Sequence, residues 1–126
     1  MEPADSQRLP HDVLIVEDDA IIALDFEETI LGFGVKEVRS CGSVARALKL
    51  IDDRAPDFAL LDIGLFSEKS FAVAERLQAM QIPFAFITGY NGEMILPPSL
   101  RGVPRLPKPC PRDVLEATLR QRTRRQ

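Results

Sequence analysis

Two four-residue runs, Val13-Leu14-Ile15-Val16 and Phe58-Ala59-Leu60-Leu61, constrain this chain most. Neither alternates apolar with polar residues. Each must therefore be covered on both faces, which is the situation of a strand inside a parallel sheet. Both runs end abruptly in acid: Glu17, Asp18 and Asp19 follow the first, and Asp62, with Gly64 close behind, follows the second. Open parallel sheets bind ligands at the carboxyl ends of their strands, so these acids stand where chemistry is expected.

The remaining segments supply the elements such a sheet needs. Ile22, Phe26 and Ile30 recur at four-residue steps with Ala23 beside them, predicting an amphipathic helix over about 19–32 that Gly32 and Gly34 end. A second strand is predicted over 35–40. Ser43 then caps a helix striped by Val44, Ala47, Leu48 and Ile51 and running to about Asp53. After the third strand, Phe71, Ala74, Leu77 and Met80 predict a helix over about 68–80. A fourth strand over 83–87 tolerates Pro83 at its first position. Glu93–Leu96 has room for one helical turn before Pro97-Pro98 breaks it. A short fifth strand near 103–106 leads to Lys108-Pro109, and a last helix starts at Pro111 and carries Val114, Leu115 and Leu119.

Five β-α repeats imply right-handed crossovers and helices on both faces. The expected fold is α/β: a flavodoxin-like, doubly wound five-stranded parallel sheet in the order 2-1-3-4-5, with an eroded fourth helix. A tail over 1–12, one domain over 13–120 and a basic, frayed end over 121–126 complete the expected organisation. With 126 residues, 45% of them hydrophobic, the chain suffices for one core. A net charge of −3 gives no bulk attraction to nucleic acid, no apolar run is long enough to cross a bilayer, and no signal peptide opens the sequence. Cys41 and Cys110 lack metal-ligand spacing and fit small buried thiols of a cytoplasmic protein.

In the expected strand order, the carboxyl ends of strands 1, 3, 4 and 5 bring together Glu17 and Asp18, Asp62, Thr88 and Lys108. Crowded carboxylates favour a hard divalent cation with oxygen ligands, and Mg²⁺ suits a site completed by waters. A hydroxyl and an ammonium opposite it suit the oxygens of a phosphoryl group. An aspartate attacking phosphorus gives an aspartyl phosphate. Asp19 fits the N-cap of the first helix instead. A phosphatase with an aspartate nucleophile would want a second acid at Gly64, and a flavin-phosphate loop would not carry Glu17-Asp18-Asp19.

The motifs VLIVEDD (13–19), LLDIGL (60–65), FITGY (86–90) and LPKP (106–109) resemble the receiver domains of bacterial two-component response regulators, over about 13–120. PFAFITGY is similar to the FATGUY subfamily of single-domain receivers, with Ile87 in the alanine place and Tyr90 directly after Gly89. The resemblance implies a phosphorelay module, not a conventional enzyme, in which Asp62 takes a phosphoryl group from a partner histidine kinase or phosphotransfer protein. It implies Mg²⁺ held by Asp18, Asp62 and the Gly64 carbonyl, with Glu17 acting through water. Thr88 and Lys108 would meet the phosphoryl group, across a cis Lys108-Pro109 bond. Thr88, Gly89 and Tyr90 form the expected switch, although Tyr90 fits a packed loop aromatic equally well.

Departures from the family pattern are Phe66 where many receivers carry proline, Arg105 at a position often aromatic, and the prolines of the fourth helix. All concern partner choice, and a downstream protein partner is expected. The competing readings are a non-phosphorylatable pseudo-receiver scaffold and a receiver cut from a larger regulator or hybrid kinase.

Overall fold

The structure, a computed structural model, describes residues 8–65, 68–89 and 96–121. Its main sheet contains β1 (Asp12–Val16), β2 (Glu37–Cys41), β3 (Phe58–Asp62), β6 (Phe84–Thr88) and β7 (Arg105–Pro107). All neighbours are parallel, in the spatial order β2-β1-β3-β6-β7. Counting only these strands, the order is the expected 2-1-3-4-5. Among the described residues, four α-helices cover the two faces: α1 (Ala20–Phe33), α2 (Val44–Asp53), α3 (Phe71–Ala79) and α4 (Arg112–Gln121).

Every residue of β1, β3 and β6 is buried, as their unbroken apolar runs require. Period-two alternation then deals their side chains to opposite faces. Leu14, Val16, Ala59, Leu61 and Phe86 pack with Ala47 and Ile51 of α2 and with Val73, Ala74 and Leu77 of α3. Val13, Ile15, Phe58, Leu60 and Ile87 pack with Phe26 and Ile30 of α1 and Leu115 and Leu119 of α4. Two half-cores thus clamp one sheet and fix the strand ends in space.

Several local expectations change. Gly32 lies inside α1, which continues to Phe33 and stops at Gly34, whose φ of 116° only glycine adopts readily. The extra residue places Phe33 against the α1–α4 half-core, with the Arg112 guanidinium 5.2 Å from its ring centroid. Val35 is buried but precedes β2, which ends at Cys41. Between β3 and α3, a two-stranded antiparallel hairpin, β4 (Gly64–Leu65) and β5 (Glu68–Lys69), takes residues assigned above to loop and helix. Cys41 and Cys110 are free and only half-buried.

The fourth-helix turn, Phe66, Tyr90 and most of the two termini fall outside the described residues. Just beyond the former, Pro98–Leu100 makes a single 3₁₀ turn with proline at its start. Leu9 leans on the core and Pro10 is buried ahead of β1. Among the described residues no helix is long and apolar enough to cross a membrane.

At the amino edge of the sheet, Asp12 is buried and accepts from Arg39 Nε at 3.2 Å, Arg39 Nη2 at 3.0 Å and Arg54 Nε at 3.1 Å. Arg39 also donates to the carbonyls of Leu50 and Arg54, and Arg54 pairs with Glu37. This clamp closes the end of the sheet opposite the acids.

Candidate functional site

The carboxyl edge gathers Glu17 just past β1, Asp62 at the last position of β3, Thr88 at the last position of β6, and Lys108 just past β7. Strand register sets this assembly: Val16 is level with Leu61, Asp62 with Ile87, and Thr88 with Pro107. Glu17, Asp18 and Asp62 each offer a carboxylate oxygen within 4.8 Å of the others. Glu17 is 3% exposed and Asp62 6%, so solvent relieves little of the cost of charging these two carboxylates side by side.

Lys108 supplies the counter-charge. Its Nζ donates to Glu17 Oε1 at 2.9 Å and to Asp62 Oδ2 at 3.2 Å. The stem of Lys108 passes close to Gly89, and the Lys108 N–H donates to the Thr88 carbonyl at 3.0 Å. The following Lys108-Pro109 bond is cis, as expected. Gly64 N–H donates to Asp62 Oδ1 at 3.2 Å, holding one oxygen of that carboxylate. Asp19 N–H donates to Glu17 Oε2, while the Asp19 side chain caps α1 through Ile21 and Ile22. That satisfies the cap expected of Asp19 and leaves Asp18 to face the acidic edge.

Burial pushes the Glu17 carboxyl above the ordinary carboxylate range, and the neighbouring Asp62 charge adds to this against the opposing hydrogen bonds. For Lys108, burial acts downward but the contacts with Glu17 and Asp62 outweigh it, and its pKa is raised. The ammonium therefore stays charged between its two acids.

Three oxygen donors, with no soft ligand among them, fit a hard cation of the Mg²⁺ type. A groove of about 440 Å³ lined by Asp18, Ala20, Leu24, Glu27 and Gly42 opens beside them and gives water access. Glu17, Asp18 and Asp62 are the residues that could hold such an ion.

The structure brings Glu17, Asp18, Asp62, Gly64, Thr88 and Lys108 to one edge. Tyr90 lies outside the described residues, and Arg105 is exposed on the β7 edge. Sequence reasoning missed two participants: the direct Lys108–Glu17 pair and Gly42, set against Asp18. The strand order held the signal for the first.

A doubly wound sheet carrying an acid pair, an aspartate, a threonine and a lysine on its carboxyl edge defines a class. The chain belongs to the receiver domains of response regulators. It is similar to SdrG from Sphingomonas melonis Fr1, with 37% identity and a TM-score of 0.74, covering 87% of this chain and 94% of that one. It is also similar to the anti-anti-sigma factor PhyR from Bartonella quintana, with 28% identity and a TM-score of 0.76, over 92% of this chain and 48% of that one. The phyllosphere-induced regulator PhyR of Methylorubrum extorquens is 32% identical over 82 residues, which is 63% of this chain. The chain spans 31% of the length of that curated relative. No family model matches it.

Proposed function

We propose that Asp62 is the phosphoacceptor of a two-component phosphorelay. The observation that carries this reading is the Lys108 ammonium held between Asp62 and Glu17, beside three converging carboxylate oxygens. An Asp62 oxygen attacks phosphorus, the P–N bond of a kinase or phosphotransfer phosphohistidine breaks, and its electron pair leaves on the imidazole. Catalysis is positioning and charge stabilisation.

Gly64 N–H holds one Asp62 oxygen, leaving the other to the nucleophilic role once Lys108 releases it. Lys108 then follows the charge onto a phosphoryl oxygen, and the Thr88 hydroxyl donates to another. Asp18, Asp62 and the Gly64 carbonyl would hold Mg²⁺, and Glu17 would act on it through a water. When bound there, such an ion would supply positive charge to offset that developing on the transferred group.

The FITGY segment favours membership of the FATGUY receivers, with residues 13–120 as the functional unit. The signal leaves through Thr88, Gly89 and Tyr90 to a protein partner, in the cytoplasm. SdrG has been solved in a BeF₃-activated conformation, so the same phosphoryl mimic serves as a probe for this chain. Hydrogen exchange with and without it tests the switch, which is wrong if protection at Thr88 and the residues after it is unchanged.

The deciding experiment is intact mass after incubation with a small phosphodonor. Wild type gains one phosphoryl group only with Mg²⁺, and Asp62→Asn gains none. Equal gain by both proteins would refute the assignment.

A further inference from the structure

Gly42 is an exposed residue just past β2, and it faces the main chain of the acidic edge. A Cβ placed on it would lie 3.3 Å from Asp18 Cα, and 3.7 Å from both Asp18 Cβ and the Glu17 carbonyl oxygen. The first distance is shorter than the optimal separation of about 3.5–4.0 Å between carbon atoms. The opposing atom belongs to main chain, not to the end of a flexible side chain that could swing away.

Asp18 has little freedom to yield. On one side, Glu17 N–H donates to the Cys41 carbonyl at 2.9 Å, tying the end of β1 to the end of β2. On the other, Asp19 N–H donates to Glu17 Oε2 at 3.0 Å, and Asp19 Oδ1 accepts from Ile21 N–H and Ile22 N–H. Among the described glycines the left-handed one is Gly34, not Gly42, so position 42 demands room and not an unusual dihedral.

We propose that Gly42 is a positioning residue that sets the Asp18–Asp62 spacing for Mg²⁺ and so determines the preference for Mg²⁺ over the larger Ca²⁺. The proposal rests on the reading of this edge as a Mg²⁺ site. Mg²⁺ demands near-ideal octahedral geometry at about 2.0–2.1 Å, whereas Ca²⁺ accepts irregular sets at about 2.3–2.6 Å. A displacement of Asp18 by a few tenths of an ångström therefore penalises Mg²⁺ more than Ca²⁺. A general loosening of the fold would weaken both ions together.

The test is calorimetric titration of Mg²⁺ and Ca²⁺ into wild type and Gly42→Ala, with melting of the metal-free proteins as the control for folding. Mg²⁺ affinity should fall by about tenfold, the size of effect seen when support behind a metal ligand is lost, while Ca²⁺ affinity changes by less than about threefold. Mg²⁺ affinity within about twofold of wild type, or an equal fall for both ions, overturns the proposal. A wild type that binds neither ion refutes the Mg²⁺ reading itself. Should Gly42→Ala not fold, the wild type still decides: its Gly42 amide resonance should move further with Ca²⁺ than with Mg²⁺, and equal movement or none overturns the proposal.

Discussion

Replacing Lys108 with methionine removes one charge while keeping the apolar stem. At contact distances of 2.9 and 3.2 Å, an effective dielectric of about 20 gives about 11 kcal/mol of gross attraction to Glu17 and Asp62. Most of this is offset by the desolvation of a mostly buried ammonium, which methionine does not incur. The acids then face each other unrelieved, and with their oxygens within 4.8 Å that repulsion is about 3.5 kcal/mol at the same dielectric.

Breaking a buried pair by removing one partner costs about 3–5 kcal/mol, and metal-free Lys108→Met should fall in that range. Mg²⁺ should bind the variant more tightly than wild type, because the competing ammonium is gone. At a hundredfold excess over its Kd, the ion returns about 2.7 kcal/mol. Urea unfolding with and without Mg²⁺ measures both quantities, provided the m-value is unchanged. A loss below about 1 kcal/mol, or Mg²⁺ stabilising wild type as much as the variant, would refute this balance of charges.

Asp12→Ala should lower stability by about 3 kcal/mol, the low end for a broken buried pair because Arg54 is half in water; urea unfolding reads it, and a loss under about 1 kcal/mol would show the clamp to be ornamental. Glu17 has a raised pKa, so the folded state holds that proton more tightly than the unfolded chain. Metal-free stability relative to Glu17→Gln should therefore rise as pH falls through the raised value, with the gain complete below the ordinary carboxylate range, and Mg²⁺ affinity should fall over the same window. Melts of both proteins against pH check this, and identical pH profiles would contradict it. Gln81, exposed with φ of 60° after α3, should accept glycine with a gain of about 0.5–1 kcal/mol, read as a higher urea midpoint; a loss would mean its side chain has a role.

The strands were legible because Val13–Val16 and Phe58–Leu61 have no polar face, and that property survives any tertiary context. The site was legible for a related reason: once strand order is known, strand ends are neighbours whatever their separation in sequence. Gly32 misled because a glycine inside a helix and one ending it look alike until Phe33 finds its place in the core. The β4–β5 hairpin carries no Asn-Gly or Asp-Gly signature, so its residues read as the approach to a helix. Asp12, Arg39 and Arg54 were invisible as a group, since long-range ion pairs obey no periodicity. Val73 went unmarked because a stripe drawn through Phe71, Ala74 and Leu77 already filled one helix face.

The Asp12 clamp bears on how the chain is made. Its members, Asp12, Glu37, Arg39 and Arg54, together with Asp57, whose carboxylate accepts from Asp12 N–H, all precede β3. The β1-α1-β2-α2 segment can therefore lock its own amino edge during synthesis, before Asp62 emerges and before either β6 or β7 exists. The repulsive carboxyl edge is assembled last, against a template already closed at its far end. Nascent-chain truncations ending shortly after Asp57 should accordingly protect β1 and β2 from proteolysis, and Asp12→Ala should abolish that protection.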